Sequence, residues 1–263
     1  MVLDPKQIAA YAEDGFVLVP GFFDPDLTGL LLRVARADRS MLDRAADRLD
    51  TQGRVSRLSL RYELPDDIYA AFARSDRLVA AMEELVGGQV YHYHHKMMLK
   101  EPRVGGAWEW HQDYGYWYQN FLRDAMASCV IAVDRAHRGN GCLQVLAGSQ
   151  RMGRIEHGKA GDQVGADPDR VAEIERRCRR VYCEMEPGTA LFFHSNLLHR
   201  SDPNTGPDPR WSLICCYSAV DNPPFRPQVQ GQYDPLERWD DARIRRTGEA
   251  HWQGLQQSAG GPA

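Results

Sequence analysis

The sequence predicts a mainly β fold with flanking α-helices, a sandwich or barrel with helices packed outside. Three observations carry this expectation. Helical periodicity and helix caps dominate residues 5–86. From residue 89 the pattern changes to short β-type segments broken by Gly, Pro, Asn and Asp. The chain has 263 residues and is 43% hydrophobic, a size at which all-β domains commonly stand alone.

The elements follow in order. Ile8, Ala9, Tyr11 and Ala12 recur at helical spacing, and Gly15 stops that helix. Residues 16–19 form a compact β-branched and aromatic run, and Asp24 or Asp26 can cap a long helix read on toward residue 50. Residues 76–86 give a further helix, ended by Gly87-Gly88. The β segments are expected at 89–99, 106–112, 127–134, 142–147, 179–185, 189–194 and 211–219. Between 148 and 178 lies a polar insertion in which Asp167-Pro168 starts a charged helix, placed to act as a lid across the β mouth. Residues 222–263 read as a polar C-terminal tail with little to bury.

Lys+Arg is 32 against Asp+Glu 36, a net charge of -4, so no overall basic field exists to neutralise phosphates and nucleic acid is not an expected partner. No apolar run reaches the roughly 18 residues that cross a bilayer, and the N-terminus lacks the pattern of a signal peptide. A cytoplasmic protein with no membrane association is therefore expected, monomeric or homodimeric. The six cysteines form no CxxC pair and read as reduced, mostly buried thiols.

Residues 107–118, AWEWHQDYGYWY, hold the strongest chemical signal. His111 and Asp113 are two apart, so in extended chain their side chains leave one face about 6–7 Å apart at the backbone and can converge on one ion. A third ligand is expected from residues 188–199, where an apolar strand runs into a turn bearing His194 and His199. Arg210 favours His199: the turn-rich segment SDPNTGPDP can fold back and set the guanidinium beside the metal, with Ser212 adding a donor. Two histidines, a carboxylate and a carboxylate-binding Arg suit a non-haem Fe(II) enzyme that uses a 2-oxo acid. On a regular strand, His92 and His94 of the run 91–96 share one face and His95 the other, so these three are not expected to bind metal. His137, His157 and His251 are expected at the surface.

WHQD, FFHSNLLHRS, Arg210 eleven positions after His199, NGCLQVLAGSQRMG and the opening AYAEDGFVLVPGFFDPD together resemble the phytanoyl-CoA dioxygenase (PhyH-like) family over residues 6–220. The resemblance implies a double-stranded β-helix (jelly-roll, cupin-like) core with Fe(II), 2-oxoglutarate as co-substrate and O₂. It implies His111, Asp113 and His199 as iron ligands and Arg210 as receptor for the distal carboxylate of 2-oxoglutarate. Ser201, Ser212 and Met97 match weaker co-substrate contacts. In related halogenases a small residue replaces the carboxylate, so Asp113 argues for oxygen chemistry. These positions must meet in one pocket, which makes 1–263 a single oxygenase domain whose jelly-roll core spans about 89–220.

The substrate is read as a small molecule. Trp108, Trp110, Tyr114, Tyr116, Trp117 and Tyr118 crowd the HxD motif, and Tyr114, Tyr116 and Trp117 are expected to wall its pocket. That favours hydroxylation, cyclisation or desaturation of a natural-product intermediate carrying sugars, of the orthosomycin kind. The alternative is hydroxylation of a free amino acid or an acyl substrate. A non-catalytic metal-binding jelly-roll is the competing class, which gains nothing from Arg210 beside the ion. The basic run 176–180 is read as a solvated helix end, leaving no site for the polyphosphate of a CoA thioester.

Overall fold

A computed structural model describes residues 2–226 and 233–259. The chain opens with α1 (Pro5–Asp14), β1 (Phe16–Val19), α2 (Pro25–Ala37), α3 (Arg39–Asp43), β2 (Ala46–Leu49), β3 (Val55–Arg61), α4 (Ile68–Ala73) and α5 (Asp76–Val86). It continues through β4 (Val90–Lys100), β5 (Trp108–His111), α6 (Asp113–Trp117), β6 (Met126–Ala132), β7 (Leu143–Leu146), β8 (His157–Ala160), β9 (Gln163–Ala166) and α7 (Pro168–Arg177). The last elements are β10 (Arg180–Cys183), β11 (Ala190–His194), β12 (His199–Ser201), β13 (Arg210–Ala219) and α8 (Asp241–Ala259).

Two antiparallel sheets build the double-stranded β-helix. Seven strands run β1-β11-β6-β13-β4-β3-β2, four run β10-β7-β12-β5, and β8-β9 is a separate hairpin. The sheets share an inner core, in which Tyr91, Val130, Phe193 and Ile214 of the large sheet meet Leu143, Val145 and Cys183 of the small one. The other face of the large sheet is also covered, as Met97, Leu99, Cys129, Ile131, Leu213 and Tyr217 pack against Leu27, Leu31, Phe72 and Met82 of the helical layer. Burial on both faces explains why β6 and β13 read as nearly unbroken apolar runs.

Local chemistry sets the boundaries. Asp4 and Gln7 form a reciprocal capping box on α1, and Gly15 ends it at φ 82°. Asp24 caps α2 through Leu27 N–H at 2.8 Å, and Asp167 caps α7 through Arg170 N–H at 2.9 Å.

Two expectations are corrected. The long second helix ends at Ala37, where buried Asp38 caps a new turn through Met41 N–H and accepts from Tyr69 Oη, and the chain then forms β2 and β3. Residues 5–86 are therefore not wholly helical. β2 is the edge strand and β3 its neighbour, where arginines are interspersed with leucine and serine, so they lack an apolar strand signature. The C-terminal region is not a plain tail: Trp239 and Ile244 are buried, and α8 docks on α2 and α4. Gly248 permits the approach, since a Cβ there would fall 2.7 Å from Ile68 Cδ1 and 2.8 Å from Leu30 Cδ2. The last residues of the tail, 260–263, lie outside the described residues. The six cysteines carry free thiols, five of them buried. Among the described residues no helix is long and apolar enough to cross a membrane.

Candidate active site

β12 is the antiparallel neighbour of β5, and His199 and His111 are direct Cα partners across the pair. Their rings lie 4.0 Å apart between centroids. His111 Nδ1 lies 2.7 Å from Glu109 O and His199 Nδ1 lies 3.0 Å from Leu197 O, so each Nδ1 carries the proton and donates it to a carbonyl. Both Nε2 lone pairs are left for an ion. Gln112 continues the extended chain at φ -110°, ψ 138°, which returns Asp113 to the same side. Asp113 Oδ1 lies 3.9 Å from His111 Nε2 and 3.8 Å from His199 Nε2. All three residues are buried, and their donor atoms lie within 4.8 Å of one another.

Electrostatics suit the same purpose. Burial, reinforced by the facing His199, holds His111 well below the ordinary imidazole range, and burial also lowers His199 against the pull of Asp113. Neutral imidazoles are the ligating form. The donor set of two neutral nitrogens and one carboxylate on a single face fits a divalent iron. The outer oxygen of Asp113 is held as well: buried Ser128 Oγ donates to Oδ2 at 2.6 Å. His194 stays apart at the end of β11, its Nδ1 accepting from Asn196 N–H at 3.0 Å.

Arg210 opens β13 opposite Lys100 of β4 and is buried. Burial pushes its guanidinium down to about 10, which still leaves it charged at neutral pH. Its Nε has no partner, and no carboxylate reaches it within ion-pair distance among the described residues. Among the described residues its side chain makes one hydrogen bond, a long one, Nη1 to Ser212 Oγ at 3.5 Å. A buried unpaired cation costs several kcal/mol unless an anion completes it. Arg210 lines a narrow slot together with His111, Asp113, His199, Ser201 and Met98. Ser201 Oγ is fixed at 2.8 Å by buried Lys100 Nζ.

A wider pocket of about 550 Å³ opens from the triad and is walled by Tyr62, Tyr93, Trp108, Tyr116 and Trp117, with Lys96, Arg154 and Glu156 among its charged groups. Of the three tyrosine and tryptophan positions expected at the pocket, Tyr116 and Trp117 line this space and Tyr114 does not. Because a helix starts at Asp113, residues 113, 116 and 117 share a face and 114 turns away. Tyr114 is buried in the inner core and its Oη bonds Phe121 O at 3.3 Å. Met97 is also corrected, since it packs in the helical layer while Met98 lines the slot. The cause is a bulge: Cys216 pairs with His94 and Tyr217 with His92, leaving Tyr93 as an extra residue. Past that point His94, Lys96 and Met98 face inward, while His92 and His95 meet on the other face, ring nitrogens 3.1 Å apart.

Gln112 and His157 are among the residues that escaped the sequence reading. Gln112, fully buried between the two motif residues, donates to Gly153 O and Asn196 O and accepts from Ile155 N–H. His157, expected at the surface, is half-buried; its Nε2 accepts from Gln112 N–H at 3.0 Å and its Nδ1 donates to Ile155 O. The 148–178 insertion is thus tied to the HxD turn. Only the middle position of the motif could have signalled this, and a single glutamine carries no such pattern. In the basic run, Arg176 and Arg177 pair with Glu173, Arg180 with Glu175 and Arg179 with Asp14, so its charge is internally matched.

The sequence model of the family described as Phytanoyl-CoA dioxygenase (PhyH) matches residues 11–212. An L-proline trans-4-hydroxylase from Streptomyces griseoviridis is 30% identical over 244 residues, covering 86% of this chain and 90% of that protein. An ectoine dioxygenase from Sphingopyxis alaskensis is 28% identical over 240 residues, 84% of this chain and 77% of that protein. The crystal structure of EctD from S. alaskensis with bound Fe superposes with a TM-score of 0.77 at 24% identity, covering 91% and 88% of the two chains. The same protein has been crystallised with 2-oxoglutarate and 5-hydroxyectoine, TM-score 0.72 at 24% identity, covering 93% of this chain and 87% of that one.

Proposed function

The chain belongs to the phytanoyl-CoA dioxygenase family, and from that premise we propose that it hydroxylates an unactivated C–H bond of a small free amino or imino acid. It is a dioxygenase that uses Fe(II), 2-oxoglutarate and O₂. When bound, iron and co-substrate together supply the oxidising power, 2-oxoglutarate leaving as succinate and CO₂ while one oxygen atom enters the substrate.

In this reading His111, Asp113 and His199 hold the iron on one face. Arg210 receives the distal carboxylate of 2-oxoglutarate, with Ser201 and Ser212 as flanking hydroxyls. Ser128 keeps the Asp113 carboxylate turned toward the ion. Tyr116 and Trp117 exclude water and confine the substrate, so that one C–H faces the metal.

The observation that carries the substrate class is the charge in the wide pocket. Lys96 brings a positive charge, unpaired among the described residues, to aromatic walls beside an Arg154–Glu156 ion pair, and a free acid uses that charge whereas a neutral sugar does not. The relative acting on L-proline supports the same class. A sugar-bearing natural-product intermediate is the second reading, favoured by the rings of Trp108, Tyr116 and Trp117, which suit stacking on a sugar face. Measuring succinate release over a panel of free amino acids, L-proline included, and glycosylated metabolites separates the two. Turnover above the blank only with amino acids is expected, and turnover only with glycosides would reverse the order.

A further inference from the structure

We propose that Lys96 and His94 of β4 form an anion subsite that seats the substrate's carboxylate above the triad. The proposal rests on the amino-acid reading just given and assigns the residues that would recognise that class.

The two residues are adjacent on the inward face of β4, beyond the bulge, so their side chains leave the strand about 6–7 Å apart, near enough to converge on one carboxylate. Lys96 borders both the slot that contains Arg210 and the wide pocket, which puts its ammonium at their junction. No hydrogen bond or ion pair reaches Lys96 among the described residues. Its charge is felt at the triad, where it adds to the lowering of both His111 and His199. The other cations near this space are committed. Arg154 is bound through both terminal nitrogens to Glu156, each at 3.0 Å, Arg48 lies on an exposed edge strand, and Arg210 sits in the slot.

His94 supplies the second observation. It is only 4% exposed, lines the wide pocket, and its Nδ1 has no partner. Tyr93, Trp117 and Tyr62 surround the ring at 4.8, 5.6 and 5.8 Å between centroids. An unpaired nitrogen makes the burial of this ring costly, and a carboxylate held by Lys96 offers an acceptor to the part of the ring that lines the pocket. The fit is to a free acid: a primary amide presents no charge to Lys96 and an ester no anionic oxygen.

The experiment uses enzyme loaded with Fe(II) and 2-oxoglutarate under anaerobic conditions. Quenching of the fluorescence of Trp108 and Trp117, both in the pocket wall, reports binding, and aerobic succinate release gives KM. The probes are the twenty proteinogenic L-amino acids, their primary amides, and acetate, lactate and benzoate. For an amino acid that binds, Lys96→Met should raise Kd and KM about 10- to 100-fold, the usual worth of a hydrogen bond to a charged group, with Lys96→Arg recovering most of it. His94→Phe should give a smaller rise in the same direction. KM for 2-oxoglutarate should move by far less than KM for the amino acid. Equal binding of acid and amide overturns the subsite, and so does a Lys96→Met effect confined to 2-oxoglutarate. If no amino acid is oxidised but simple carboxylates quench in a Lys96-dependent way, the amino-acid reading falls and the subsite stands. If amino acids are oxidised with an affinity that does not depend on Lys96, the subsite falls and the amino-acid reading stands.

Discussion

Ser128→Ala tests how much of the metal site is built outside its ligands. The hydroxyl lies 2.6 Å from Asp113 Oδ2, and both residues are buried, so no water can replace the lost donor without rearrangement. A hydrogen bond to a charged group contributes about 1.5–3 kcal/mol. At about 1.36 kcal/mol per decade that corresponds to roughly 10- to 100-fold, which matches the usual loss of metal affinity when a ligand's supporting partner is removed. The substitution deletes one oxygen from a central strand, so packing loss should be small, although Cys216 Sγ at 3.3 Å also loses a neighbour. Anaerobic competition of Fe(II) between the protein and a calibrated chelator would measure the affinity, with thermal unfolding of the metal-free variant as a folding control. A dissociation constant within two-fold of wild type, in a variant that folds normally, would refute the claim that Ser128 aims the carboxylate.

Three further outcomes are expected. Arg210→Ala should weaken 2-oxoglutarate by about 2–5 kcal/mol, read from the anaerobic charge-transfer band, with Arg210→Lys intermediate because it keeps charge but loses the fork; an unchanged titration would remove Arg210 from the co-substrate site. Stability should fall with acid, because burial keeps His92, His94 and His95 neutral in the native state, His95 down to about 3, while the unfolded chain takes up protons below about pH 6.5. The unfolded state binds more protons in that window, so stability present above it is lost as pH falls through it, at up to about 1.4 kcal/mol per pH unit for each histidine. Urea unfolding of metal-free protein at pH 7.5 and 5.5 should differ by about 4 kcal/mol from these three alone, with His111 and His199 adding in the same direction, and equal midpoints would count against neutral burial. Gly115→Ala should displace the β8-β9 hairpin, since the new Cβ would lie 2.1 Å from His157 Cε1; a variant with wild-type Tm and substrate KM would mean that the ring yields easily.

The jelly-roll core and the triad were legible because each rests on a local pattern. The strands have short apolar runs between turn formers, and His111 and Asp113 need only extended chain between them to share a face. Arg210 was legible through its spacing from His199 across a turn-rich loop. Met97 and Tyr114 were misplaced for the same physical reason, a local change of period: a bulge at Tyr93 shifts the inward set to Lys96 and Met98, and a helix starting inside the motif turns Tyr114 into the core. Residues 46–61 were hidden because the last two strands of the sheet are only partly buried and keep polar side chains. In α8, Gly248 and many charges mask the apolar stripe that Ile244 anchors. Ser128, Lys96 and Gln112 act through contacts across strands and loops, which no spacing along the chain records.

The bonds made by Gln112 bear on how such a scaffold can be re-engineered. Its side chain holds Gly153 and Ile155 on one side and Asn196 on the other, while its backbone holds His157. A hairpin transplanted from another oxygenase to change substrate range would therefore bring its own spacing of carbonyls and amides to a residue wedged between two ligands. Grafts that keep the acceptor at 153, the amide at 155 and the imidazole at 157 leave the HxD turn where it is; grafts that alter them couple each change of substrate to a change of iron geometry. Val164 lines the wide pocket through a side chain that makes none of these bonds, and it is there that libraries for new specificity belong.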